Sequence, residues 1–153
     1  MRSEYLSRSV APCPVGLVIT AAGGRRNAMT VSFFSEVAHH PAALWVSVAR
    51  MSYTHELIRE SGVFSLAVLH DGQKELAMRC GTGSGRALDR WSGLGMQAGP
   101  EGFWYPAEAL TVTSCRVRSE TVLEDHTVFV ADLLAGEVYA NRANRRHLLT
   151  VDL

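Results

Sequence analysis

Two apolar stretches separated by a pair of glycines constrain this chain more than any other feature. Val15-Gly16-Leu17-Val18-Ile19-Thr20 is nearly all apolar and rich in β-branched side chains, the composition of a strand. Gly23-Gly24 then offers the positive φ that a tight reversal needs. The chain returns through Ala28-Met29-Thr30-Val31-Ser32-Phe33-Phe34. Alternate residues of a strand share a face. Ala28, Thr30, Ser32 and Phe34 therefore fall on one side, and Met29, Val31, Phe33 and Ser35 on the other. The expected unit is a hairpin with one small, hydroxyl-bearing face.

The rest of the chain repeats short strands and short helices. Pro41 favours an extended residue before it, and Leu44–Val48 reads as a third strand. Ser52–Ile58 reads as a helix with Ser52 or Thr54 as N-cap, Glu56 in its first turn and Gly62 as its stop. Val63–Val68 is a fourth strand. Asp71 can cap a second short helix with Leu76 and Cys80 on one side and Gly81 just past its end. Ala87, Leu88 and Trp91 follow at helical spacing. Residues 92–106 hold four glycines and two prolines and read as irregular. A long strand spans Ala109 to Leu123. Its even positions pass from Leu110 and Val112 to Arg116, Arg118 and Glu120, so either one face leaves the core or a bulge shifts the phase. Thr127–Leu133 is apolar enough to be covered on both faces. The tail, with Arg142, Arg145, Arg146 and His147, is expected to pack as a helix. The sum is mainly β with short helices (α+β): six to seven mostly antiparallel strands in a small closed or split β-barrel. The length suits a single domain over residues 1–153.

Charge narrows the partners. Fifteen basic residues balance fifteen acidic ones, so no broad positive field exists for nucleic acid. No apolar run reaches the ~18 residues of a membrane helix. The N-terminus has no basic stretch before an apolar run, so a cytoplasmic location is expected. Cys13, Cys80 and Cys115 are far apart, odd in number and without zinc-ligand spacing, which suits reduced thiols. Lys74 is the only lysine, so any anion site should use arginine, the better fork for phosphate.

Three segments could carry chemistry. The first is Asn27 to Ser32 with the turn Arg50-Met51-Ser52-Tyr53-Thr54. Its small side chains and backbone groups suit a flat heteroaromatic ring. Its arginine, hydroxyls and helix-start N–H groups suit a phosphate. Composition alone fits a half-buried hairpin and an ordinary helix cap equally well. The second is Glu124-Asp125-His126, where a carboxylate beside a histidine tunes or orients the ring; a polar turn with a solvated histidine is the plainer account. The third is Gly81-Thr82-Gly83-Ser84-Gly85-Arg86. It is glycine-rich but matches neither GxxxxGK[ST] nor GxGxxG, so a flexible loop is the simpler reading. His39-His40, His55 and His70 have no ligand partners at metal spacing.

Taken in order, these segments resemble the flavin reductase-like proteins with the FMN-binding split barrel. Pro14–Thr20 is similar to the opening strand, Asn27–Val37 to the flavin strand, and Pro41 to the family's proline. Val48–Thr54 is similar to the phosphate turn. Gly62–Leu69 is similar to "G-x-F-x-x-x-x-L", and Ser84-Gly85-Arg86 with Asp89-Arg90-Trp91 to "SGR…DKF". Asp125–Val130 is similar to "GDH-x-hydrophobic". The resemblance covers about residues 10–138. It implies FMN, with FAD as the alternative, and NADH or NADPH as co-substrate. It implies that Asn27, Ala28, Met29, Thr30 and Ser32 border the ring, and that Arg50, Ser52, Tyr53 and Thr54 hold the phosphate end. Ser84, Gly85 and Arg86 would lie near the phosphate or the nicotinamide nucleotide, and His126 near the reactive face as the catalytic residue. It further implies a homodimer that serves a flavin-dependent monooxygenase or another electron acceptor, or else an electron carrier or redox-sensing module without pyridine-nucleotide activity. Glu124 in place of the family's Gly, Arg90 in place of Lys, and the short C-terminus depart from the pattern. All three bear on the reductant more than on the flavin.

Overall fold

The computed structural model describes residues 12–86, 91–99, 102–138 and 144–153. Among them nine strands and two α-helices form. β1 (Gly16–Ala22) turns through Gly23 and Gly24, both at positive φ, directly into β2 (Arg25–Val31). The turn is so tight that Ala22 pairs with Arg25. The return strand therefore begins three residues before Ala28 and stops at Val31, not Phe34.

Phe34 instead opens β3 (Phe34–His39), a strand not expected from the pattern, which turns at His40-Pro41 into β4 (Ala42–Ala49). α1 (Tyr53–Ser61) follows. The Ser52 hydroxyl caps it by accepting from His55 N at 3.1 Å, and Gly62 closes it at φ 71°. Thr54, the alternative cap, is buried inside the first turn. β5 (Val63–Val68) matches its expected bounds. α2 (Lys74–Gly81) is preceded by a 3-10 turn over Asp71–Gln73. His70, not Asp71, caps that turn, and Gly81 is the last helical residue rather than the one beyond.

Residues 92–106 are not wholly irregular, because β6 (Met96–Ala98) and β7 (Trp104–Pro106) pair as a small ribbon. Trp91 is buried against it, edge-on to Trp104, while Ala87 and Leu88 lie outside the described residues. β8 (Thr111–Val122) pairs with β9 (His126–Val138) in a long hairpin. Both expectations for β8 hold. Bulges fall at Ser114/Cys115 and Val117/Ser119, and beyond Cys115 the strand runs out of the core. In β9 buried Thr127, Phe129 and Ala131 alternate with half-buried neighbours, so only one face is fully covered. The tail is not a helix over Arg145–His147. His147 bridges to His70 and Leu149 to Pro14, which ties the C-terminus to the start of the chain.

The large sheet has seven strands in the order β2-β1-β5-β8-β9-β4-β3, with antiparallel pairings throughout. It is not closed, because its edge strands β2 and β3 are neighbours in sequence but do not pair. Two apolar clusters fill the interior. One gathers Leu17, Ile19, Ala28, Ala77 and Cys80 beneath α2. The other gathers Val18, Val46, Ile58, Phe64 and Phe129 beneath α1. Burial pushes the Cys115 thiol up to about 12, so it stays protonated. No helix among the described residues is long and apolar enough to cross a membrane.

Candidate functional site

The gap in the sheet creates the site. β3 begins at Phe34, opposite Val46, so β4 runs three residues past it, from Ser47 to Ala49. Facing that stretch is the outer edge of β2, which also lacks a strand partner. Between them lies a cavity of about 330 Å³, inside the range of about 300–1,000 Å³ usual for small-molecule sites.

The lining shows how the chain meets a ligand. Met29, Thr30, Val31, Ser32 and Phe33 all contribute. Consecutive residues of a strand point to opposite faces, so Met29, Thr30 and Val31 of β2 meet the cavity edge-on, through the backbone. The outer edge of β2 has no strand partner, so its N–H and C=O groups can pair with the rim of a flat heterocycle, whereas Phe33 O already accepts from Ser47 N at 2.9 Å. Ser47 and Ala49 offer small side chains on the opposite wall, and Phe33 stands 6.0 Å, centroid to centroid, from the His126 ring. Beside Ala49, whose O accepts from Ser52 N at 3.0 Å, Ser52 and Tyr53 bring the N-terminus of α1, while Cys80, Gly81, Gly83, Ser84 and Gly85 bring the end of α2 and its loop.

Of the residues singled out in the sequence, Asn27, Met29, Thr30, Ser32, Ser52, Tyr53, Ser84, Gly85 and His126 meet around this cavity. Thr30 spends its hydroxyl on Ala77 O of α2, at 2.5 Å. Four others point elsewhere. Ala28 is fully buried in the core behind β2. Thr54 is also fully buried and accepts from Asn27 Nδ2 at 2.9 Å, so it holds Asn27 rather than a ligand.

Arg50 turns away. Its guanidinium donates to Glu124 O at 3.0 Å and Leu123 O at 3.4 Å, and its backbone N–H to Asp125 O at 2.9 Å. It braces the β8–β9 turn that carries His126. Arg86 lies over the Tyr53 ring, 5.2 Å from its centroid, and donates to Glu56 Oε2 at 2.6 Å. Glu56 also takes Arg25 at 2.8 Å, and the two guanidiniums, Arg25 foremost, hold its carboxyl below the usual carboxylate range. Arg50 and Arg86, the described arginines expected to grip an anion, are thus committed to the protein itself; Arg90 lies outside the described residues. Among the described residues, the anion-binding feature that remains is the N-terminus of α1 with the hydroxyls of Ser52 and Ser84.

His126 begins β9, and its Nδ1 sits 2.9 Å from Asp125 Oδ1. The imidazole holds the Asp125 carboxyl below its ordinary value. This contact orients the ring and leaves Nε2 for another partner. His55 is separate: it is buried behind α1, with Nε2 2.8 Å from Thr127 Oγ1 and its ring packed on Phe129.

Sequence reasoning missed Phe33, Ser47, Ala49 and Cys80 as lining residues. The small residues Ser47 and Ala49 at alternate positions of a strand were the available signal. The apolar run around them masked it.

An open antiparallel barrel with a neutral, ring-sized cavity at its seam and a helix N-terminus at one end defines a class: small β-domains that bind a flat, anionic cofactor. The chain belongs to the flavin reductase-like family, whose domain model, "Flavin reductase like domain", matches residues 7–151.

Among curated relatives, an NADH:riboflavin 5′-phosphate oxidoreductase of Streptomyces pristinaespiralis is 26% identical over 138 residues, covering 87% of this chain and 71% of the relative. Two solved structures share the fold. An FMN-binding protein from Thermus thermophilus superposes with TM-score 0.84 at 22% identity, over 90% of this chain and 81% of the other. Nitrilotriacetate monooxygenase component B from Mycobacterium thermoresistibile superposes with TM-score 0.82 at 21% identity, over 90% and 75%. Family and relatives together support a flavin-related redox function.

Proposed function

We propose that this protein is an NAD(P)H-dependent flavin reductase that takes FMN in preference to FAD. The observation that carries the reading is the cavity at the open seam, bounded on one side by the backbone edge of β2 and at one end by the capped start of α1. Its lining fits the group: the wall is flat, the side chains are small or hydroxyl-bearing, and a helix N-terminus favours a phosphate.

The β2 edge from Met29 to Ser32 would pair with the ring's polar rim. Ser52, Ser84 and the first N–H groups of α1 would hold the phosphate. His126, oriented by Asp125, would position the hydride donor or give it a hydrogen bond from Nε2. When bound, the flavin supplies the two-electron chemistry, accepting a hydride from a reduced nicotinamide. The protein contributes placement and electrostatics. A flavin-dependent monooxygenase or another acceptor would consume the reduced product, in keeping with the name of the mycobacterial structural relative.

The test is anaerobic mixing of the FMN-loaded protein with NADH or NADPH while flavin absorbance is followed. Bleaching by either donor is expected. A second reading, an FMN-binding electron carrier, is favoured by the turning of Arg50 and Arg86 into protein contacts, which leaves no arginine among the described lining residues. Tight FMN binding without bleaching by either donor would select the carrier and sink the reductase.

A further inference from the structure

Asn27 is the most deeply buried polar side chain in the cavity wall, 4% exposed, and its amide is only half engaged. Nδ2 donates to Thr54 Oγ1 at 2.9 Å, which fixes the amide plane. Oδ1 accepts no hydrogen bond from any described residue. Asn27 lines the cavity, so Oδ1 is placed to meet a ligand there. It also lies so close to Gly85 that a Cβ there would collide with it.

Resting on the flavin reading above, we infer that Asn27 selects for the polyol chain of the ligand, its Oδ1 accepting a hydrogen bond from a ribityl hydroxyl. Position argues for the chain rather than the ring. Asn27 is tied to the first turn of α1 through Thr54 and touches the glycine loop at Gly85. That is the end where Ser52 and Ser84 would gather the phosphate. Phe33, six residues farther along the chain, and Ser47, whose N donates to Phe33 O at 2.9 Å, lie at the other end. A ligand stretched between them presents its linker to Asn27. In riboflavin and FMN that linker bears hydroxyls, which are donors for an acceptor-only oxygen. A flat ring without the linker would leave the buried acceptor unpaired, which costs affinity.

The experiment compares riboflavin with lumiflavin, which carries the same ring with a methyl in place of the ribityl chain. Binding is read by quenching of flavin fluorescence. The native chain is expected to prefer riboflavin. Asn27→Ala is expected to weaken riboflavin by about 3- to 10-fold and to leave lumiflavin within about twofold. Equal losses for both ligands, or no loss for riboflavin, overturn the inference. Asn27→Asp keeps the acceptor, and riboflavin has no phosphate to repel, so the preference should survive. Its loss there would mean that the amide NH₂ faces the ligand, and the acceptor assignment falls. If Asn27→Ala does not fold by circular dichroism, Thr54→Val supplies the comparison: it frees the amide and should reduce the preference, and an unchanged preference overturns the inference. A native chain that binds neither flavin overturns the proposed function as well, whereas one that binds both equally overturns this inference alone.

Discussion

Gly85 has no side chain because Asn27 occupies the space one would need. Gly85→Ala must push back either the loop or the amide. Misfits of this kind cost about 1–3 kcal/mol, so FMN affinity should fall roughly tenfold, as read by fluorescence titration. His126 should separate binding from turnover. His126→Ala is expected to leave FMN affinity within about twofold and to lower hydride transfer roughly tenfold, checked by stopped-flow bleaching at saturating NADH. His55 gives a pH signature. Burial, reinforced by Arg59, lowers its pKa in the folded protein below 6.5. The unfolded chain therefore takes up the proton first as pH falls, and stability is lost below that value. Thermal melts across this range should show a falling Tm, and His55→Gln should flatten the slope.

At the scale of elements, the chain announces what local chemistry controls. β5 matched its expected bounds because Gly62 and the apolar run Val63–Val68 mark both its ends. α1 was legible from Ser52 and Gly62. The split between β2 and β3 was not, because Ala28–Phe34 reads as one alternating strand and only pairing with β4 draws Phe34 away. The ribbon of β6 and β7 was hidden for the opposite reason: glycines and prolines suggest loop, while the Trp91–Trp104 contact supplies the packing that orders it. The site residues were legible as segments, but not which way Arg50 and Arg86 turn. That depends on carbonyls at Leu123 and Glu124 and a carboxylate at Glu56, distant in sequence or without special pattern. α1 carries a prediction of its own. Ser52→Ala removes the cap, at about 1 kcal/mol, and should lower Tm by about 2–4 °C for a chain of this size. It should also weaken FMN more than riboflavin, because only FMN brings a phosphate to that helix end.

For the molecule as a whole, a few large apolar side chains stand exposed near the cavity mouth on a surface otherwise rich in charge. Met51 is 94% exposed, Val122 52% and Leu123 47%. Met51 and Val122 line one groove between α1 and the β8–β9 turn, and Met51 also borders the cavity. Apolar groups left in water beside a binding site suit contact with another protein, and we propose a second copy of this chain. Sedimentation velocity should report a dimer, and Met51→Asp with Val122→Asp should shift it to a monomer without loss of fold by circular dichroism.

The seam has a mechanical meaning too. A closed barrel can widen only by breaking a row of backbone hydrogen bonds. Here the walls of the cleft belong to strands that share none, β2 on one side and β4 beyond the end of β3 on the other. Ser32 and Phe33 alone carry the chain from β2 to β3. Phe33 O accepts from Ser47 N at 2.9 Å and ties the walls together at that end, while beyond it the cleft stands open, so a ligand can enter or leave with every rung of the sheet intact.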